Sequence, residues 1–501
     1  MKKQIKEAVF ILLIFLVLFN ITSCKNEDSI NSIKTDANVK ETDNSEEAKT
    51  EPESREIKDS LPEGLDFGGE TLNLLIQGDA EGSEQFYAEE ENGDLLNDAV
   101  YNRNRSVEER LNMKLNIIIG NTWESWESKT QKNIKASIAA GDTAYDLIGE
   151  WSSRSTTLML EGVYMDIRHL PYLELSNPWW NRSILDEGEI GGKLLFAAGD
   201  LTTLNLTGSL VYYFNKKIQQ EYNIPDLYQT VIEGKWTNDY LLQITKNVAK
   251  DLDGDGSMDE NDLFGVALTP HNLLVTYHCS SKIRMTSKDE NGLPVLDPEH
   301  EKISKLTDYL YQLLYESKGS YTLPNEGEDI QKQRNMFKND QLLLNAAPLY
   351  CSYGIYRDME SDYGILPFPK FDEKQEGYYT RLWADYGTFM CVPNNCGKQE
   401  LTGAFLEAAA FETHKSVIPV LYEKALKLKF MRDDMSAKML DIIRDGIYFN
   451  FDVIYSYNNG GISFAVSRII NDKNNNYASW YEKNEPVMKA AIADISEKLA
   501  N

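Results

Sequence analysis

The chain has 501 residues, 79 of them acidic and 51 basic, for a formal net charge of -28. That balance excludes nucleic acid, whose phosphates require clustered Lys and Arg, and argues against adhesion to anionic lipid. The length is enough for two lobes, each with its own core.

Lys2, Lys3 and Lys6 precede an apolar run from Ala8 to Phe19. The run is shorter than the roughly 20 residues of a membrane span, and the order reads as a targeting signal. Ile21-Thr22-Ser23-Cys24 resembles the lipobox of bacterial lipoproteins. The resemblance implies a signal peptide over 1–23 and a lipid anchor on Cys24, which becomes the new N-terminus. An ordinary signal peptide followed by a chance cysteine is the alternative. Residues 24–64 are rich in Asp, Glu, Lys, Ser, Asn and Thr. They bury too little apolar surface to offset their ordering entropy, so a disordered acidic tether is expected.

The folded body opens at Thr71–Ile76, an apolar run that stops at Gln77-Gly78 and reads as a buried strand. Leu96, Val100, Val107 and Leu111 have helical spacing over 95–111. Met113–Ile119 alternates as a second strand, Asn133–Ala140 is helical, and Tyr145–Gly149 is a third strand stopping at Glu150-Trp151. This β-α-β-α-β order predicts a parallel sheet with helices on its faces. Ligands sit beyond the carboxyl ends of such strands, which singles out Gln77, Glu150 and Trp151. Further on, Ser209–Phe214 is β-rich. Asn238–Lys250 is an amphipathic helix with Thr237 as its N-cap. Leu342–Ala347 is a buried strand ending at Pro348-Leu349-Tyr350, and Tyr363–Phe368 is another. Helices are expected over 401–429 with a break before Pro419, over 434–446, and over 478–499 with an interruption at Pro486.

Several segments resemble extracellular solute-binding proteins of the carbohydrate ABC-transporter type, the maltose-binding-like group. They are Leu96-Asn97-Asp98-Ala99-Val100-Tyr101 with Arg103-Asn104, Ala140-Gly141-Asp142 before Tyr145-Asp146-Leu147, and Tyr213-Phe214-Asn215-Lys216-Lys217. Gly234-Lys235-Trp236-Thr237 is similar to the family's helix opening, with Asn238-Asp239 where an acid usually follows. Gly364-Ile365-Leu366-Pro367-Phe368-Pro369 resembles the return to the first lobe. The ordered series, not any one motif, carries the likeness. It implies an α/β, two-lobe periplasmic-binding-protein-like fold with a hinge and an interlobe cleft. Lobe 1 would be 65–208 with 367–419, and lobe 2 would be 209–366 with 420–501. It implies a monomeric, lipid-anchored protein on the extracytoplasmic face that delivers a small solute to ABC permease subunits.

Asp251-Leu252-Asp253-Gly254-Asp255-Gly256-Ser257-Met258-Asp259-Glu260-Asn261-Asp262 fits a calcium loop. Oxygen ligands would come from Asp251, Asp253, Asp255, the Ser257 carbonyl, Asp259 and Asp262, with Gly256 at the sharp turn. The departure is Asp262, where EF-hands usually carry Glu, and 263–268 reads as a strand instead of the second helix. A structural Ca2+ is expected, against a solvated acidic turn as the bland reading.

Aromatic faces cover the C–H patches of sugars while carboxylates and amides meet the hydroxyls. Beside Gln77, Glu150 and Trp151, this chemistry points to Trp179-Trp180 in a turn-rich stretch, to Tyr350, and to Trp383, Asp385 and Tyr386. Core packing is the competing role for each ring. The Trp179-Trp180 pair is expected to split, one ring buried and one facing the cleft. A carbohydrate ligand follows, with no catalytic residue. A surface glycan-acting enzyme using Glu150 and Asp385, or a non-transport receptor on the same fold, stays open as the alternative. No GxSxG, HExxH or P-loop pattern occurs. Cys391 and Cys396 could pair or stay as buried thiols.

Overall fold

The computed structural model describes residues 58–269, 272–323, 328–382, 387–426 and 434–500. The expected signal peptide, Cys24 and the expected tether up to residue 57 lie outside the described residues, as do Trp383, Asp385 and Tyr386.

The first sheet is built from β1 (Glu70–Ile76), β2 (Met113–Ile119), β3 (Leu147–Trp151) and β12 (Thr388–Cys391), in the order β12-β3-β1-β2. β1 pairs in parallel with β2 and β3, and β12 closes the edge antiparallel to β3. Between β1 and β2 runs α1 (Leu95–Leu111), capped by Asp94, whose carboxylate accepts from the Leu96 and Asn97 amides. α2 (Gln131–Ala139) leads into β3, and α3 (Ser152–Leu160) leaves it directly.

The second sheet has six strands. These are β4 (Leu210–Asn215), β5 (Ala249–Lys250), β6 (Leu263–Leu268), β9 (Ser320–Thr322), β10 (Leu342–Pro348) and β11 (Tyr363–Leu366). The order is β11-β4-β10-β6-β5, with β9 beside β6. β6 runs parallel to β10 and β9, whereas β4 is antiparallel to both β10 and β11. A separate ribbon pairs β7 (Thr286–Lys288) with β8 (Pro294–Leu296). The expected mixed α/β, two-sheet architecture is therefore present.

Three chain segments run side by side between the sheets. Ser209 pairs with Leu382, and Thr380 pairs with Ile447. The Leu210 amide donates to the Arg381 carbonyl (3.0 Å), the Thr380 amide to the Gly446 carbonyl (2.9 Å), and the Tyr448 amide to the Thr380 carbonyl (2.9 Å). Gly446 must be glycine here, because a Cβ would strike the Tyr378 carbonyl. These crossings form the hinge of the fold.

Four expectations are corrected. The expected tether does not reach residue 64: Leu61 is buried, Asp59 is ion-paired with Arg110, and the Ser60 hydroxyl donates to Glu407, so packing has begun by residue 59. The helix from Asn238, here α4, ends at Thr245, where Gly265 and Gly319 press against its last carbonyl. Ala249 and Lys250 instead pair with β6. Near Pro419 the chain makes a π-helical turn, Thr413–Val417, between α6 (Gln399–Glu412) and α7 (Ile418–Leu426). Pro419 then sits in a first turn, where a missing N–H costs little. After α8 (Asp434–Asp445), the C-terminal helix α9 (Tyr477–Ala500) runs through Pro486 without stopping.

Candidate functional site

The carboxyl edge of the first sheet carries a tryptophan cluster. β3 extends to Trp151 because β12 pairs with it there, Thr388 opposite Trp151 and Phe389 opposite Glu150. Trp151 meets Trp126 edge-on at 5.1 Å and Trp123 edge-on at 5.3 Å. Trp123 follows the end of β2, and its face is covered by the Arg154 guanidinium at 3.4 Å. Arg154 stands in the first turn of α3 and pairs with Glu127 at 3.0 Å.

Glu150 lies under this cluster. It is fully buried and accepts from Trp126 Nε1 (2.6 Å), Gln131 Nε2 (2.5 Å) and Tyr164 Oη (2.6 Å). Burial pushes its carboxyl above the ordinary value, against the pull of these three donors. It contributes no accessible carboxylate to a solute or a reaction. Gln77, at the end of β1, is also buried; its Nε2 donates to Thr388 Oγ1 at 3.2 Å and its Oε1 has no partner. Gly82 lies against that amide so closely that a Cβ would collide with it.

On the second sheet, Tyr350 follows the end of β10 and lies under the Arg334 guanidinium at 5.9 Å. Arg334 comes from α5 (Glu328–Lys338). Both edges abut one crossing segment: the Thr388 amide donates to Asn205 Oδ1 (3.0 Å), and the Leu349 amide donates to the Ser209 carbonyl (2.9 Å). Gln77 and Trp151 on one side and Tyr350 on the other therefore border the same junction.

Trp179 and Trp180 do not split: both are buried, at 1% and 4% exposure. Trp180 Nε1 donates to Glu407 Oε2 at 3.1 Å, and Trp179 packs edge-on against Phe411 at 5.3 Å. Their rims line a cavity of about 480 Å³ with Asp200, Asn205, His414, Arg444 and Ile447 of the crossing. There Asp200 accepts from His414 Nδ1 (2.6 Å) and Arg444 (2.7 Å). Residues the sequence reading missed are Trp123, Trp126, Arg154 and Arg334. Trp123 and Trp126 stand just past a predicted strand, so the strand-end rule that found Trp151 would also have found them.

The acidic loop Asp251–Asp262 connects β5 to β6 as a hairpin. Asp251, Asp253 and Asp255 each bring an oxygen within 4.8 Å of the others. Gly254 and Gly256 take positive φ, +76° and +83°, which lets the turn close. Asp262 is buried and turned to the backbone, accepting from the Leu252 (2.8 Å) and Asp259 (2.9 Å) amides. Asp259 accepts from the Asn261 amide, and the Ser257 amide donates to Asp255. Three converging carboxylates fit a hard cation. Cys279, Cys351, Cys391 and Cys396 are free and buried, so Cys391 and Cys396 are not bonded.

No protein-family model and no curated protein matches the chain. Solved structures do share its fold. A cyclo/maltodextrin-binding protein complexed with maltotetraose has a TM-score of 0.54 at 13% identity, over 86% of this chain and 97% of that one. The galacto-N-biose-/lacto-N-biose I-binding protein of the ABC transporter from Bifidobacterium longum gives 0.52 at 13%, covering 86% and 96%. The maltose/maltodextrin-binding domain MalE from Bdellovibrio bacteriovorus, bound to maltotriose, gives 0.51 at 12%, covering 86% and 100%. The fold is that of the two-lobe, periplasmic-binding-protein-like solute-binding proteins. Among the described residues no helix is long and apolar enough to cross a membrane.

Proposed function

We propose that this chain is a lipid-anchored, extracytoplasmic solute-binding protein that captures a saccharide between its two sheets and delivers it to an ABC permease. The observation that carries the reading is the meeting of two strand-end edges at one hinge segment, each edge faced with aromatic rings. Lobes divided near residues 208 and 366 close on solute, because contacts from both edges exist only in the closed state. The sugar-bound state of the solved proteins that share the fold supports a carbohydrate ligand. The Ile21–Cys24 segment supports anchoring through Cys24, which keeps capture next to the permease. Ca2+ held by Asp251, Asp253 and Asp255 staples the β5–β6 hairpin, a structural role away from the solute. Isothermal titration and thermal shift against mono- and oligosaccharides test the reading. Stoichiometric binding with no product is the expected result; turnover of the glycan, or no binding to any glycan, overturns it.

A further inference from the structure

The two arginines at the strand-end edges differ in how their charge is met. Arg154, stacked on Trp123, is ion-paired with Glu127. Arg334, over Tyr350, pairs with no carboxylate among the described residues, although the chain has 79 of them. Its Nε is buried and has no hydrogen-bond partner. Its electrostatic neighbours are the Cys351 thiol and the Tyr350 and Tyr356 hydroxyls, and its one side-chain hydrogen bond among these goes to Tyr350, none of them a carboxylate. A structural arginine in this protein looks different. Arg103, deep in the first lobe, gives its Nε to Asn104 and its terminal nitrogens to the Gln85 and Phe86 carbonyls, Asn104 and Thr413. Every side of Arg103 is satisfied by the fold itself.

A guanidinium is weakly hydrated, stacks on aromatic faces, and presents its N–H groups in one plane that matches a carboxylate or sulfate. Arg334 stands beside Tyr350 with no carboxylate partner among the described residues, at an edge that abuts the hinge segment through Leu349 and Ser209. A neutral sugar hydroxyl could accept from the guanidinium but would leave the charge unmet. In a protein of net charge -28 the long-range field repels anions. An anionic solute therefore needs a local cation without a carboxylate partner, and Arg334 is one.

From this geometry we infer that the solute is an anionic saccharide, bearing carboxylate or sulfate groups, with one anionic group received by Arg334. The inference rests on the solute-binding reading above. It is tested by titrating the full-length protein with oligogalacturonates, their methyl esters, sulfated galactan oligomers, and neutral malto- and galacto-oligosaccharides. Free acid or sulfate is expected to bind at least tenfold tighter than its uncharged counterpart, an advantage that shrinks as salt is raised. In Arg334→Met the advantage falls at least tenfold, and Arg334→Lys restores part of it. The methyl-ester comparison uses the unmodified protein, so it decides the matter even where the variant folds poorly. Binding of neutral sugars equal to or tighter than acidic ones overturns the inference and leaves the solute-binding reading standing. Binding of no glycan in either set overturns both.

Discussion

Replacing Glu150 separates its role as a buried acceptor from any role in contact with solute. In Glu150→Ala, Trp126 Nε1 and Tyr164 Oη lose their acceptor, whereas Gln131 Nε2 keeps a second one in the Arg154 carbonyl at 3.2 Å. Two orphaned buried donors cost about 1–3 kcal/mol each, so the loss should be about 4 kcal/mol. Glu150→Gln keeps an oxygen where Trp126 and Gln131 converge and offers an amide to Tyr164, whose hydroxyl can turn to accept. Its cost should stay below about 1.5 kcal/mol. The pH dependence has a definite sign. Burial raises the folded carboxyl above its ordinary 4.5. Between those two values the native state binds the proton more than the unfolded chain does, so stability falls as pH rises through that window. The wild type should therefore lose stability relative to Glu150→Gln as pH rises above about 4.5, and the two should converge below it. Urea unfolding followed by tryptophan fluorescence at several pH values reads all of this. Alanine and glutamine variants of equal stability would refute the claim that this carboxylate holds the tryptophan cluster.

Trp123→Ala removes a half-buried ring at the edge and should weaken saccharide binding by roughly tenfold to a hundredfold while costing little stability, read by titration and melting together. Chelator should lower the melting temperature of the wild type and leave Asp253→Asn unmoved, since that variant has already lost one of three converging carboxylates. Asp262→Ala should destabilise by about 2–4 kcal/mol with or without calcium, because it orphans the Leu252 and Asp259 amides; equal stability in metal-free buffer would contradict its backbone role. Burial pushes the Cys279 thiol up to about 12 and Cys351 up to about 11, so thiol reagents should label neither in the native protein and both after denaturation.

Local patterns carried much of the fold. Residues 95–111 and 113–119 read directly as helix and strand, because their apolar spacing is a property of adjacent residues. What local reading could not supply came from distant partners. β3 runs two residues past its expected end because Thr388 and Phe389 pair with Trp151 and Glu150. That extension sets the two side chains on opposite faces, which is why Glu150 became floor and Trp151 edge. α4 stops at Thr245, where Gly265 of β6 and Gly319, just before β9, approach its last carbonyl. Arg334 sits in mid-helix with no pattern around it. Only the fold reveals that its charge goes unmet.

Glutamate beside tryptophan is an ambiguous signal, and Glu150 and Glu407 show why. An indole carries one N–H that must find an acceptor when the ring is buried. Glu150 takes the N–H of Trp126, and Glu407 takes that of Trp180 together with the Asn177 amide, the Glu174 amide and the Ser60 hydroxyl. Both carboxyls are pushed up by burial, so each stands in a place where charge is costly and the donors are what hold it. An acidic, tryptophan-rich lobe can thus spend its carboxylates inward, tying rings to the scaffold. At the strand-end edges stand Trp123 under the Arg154 guanidinium, Trp151 buried at 5% exposure, and Tyr350 beside Arg334. Two similar sequence pairs, Glu150-Trp151 and Trp179-Trp180, are buried alike but held differently. The first ends a strand of the first sheet; the second is fastened by a carboxylate more than two hundred residues away.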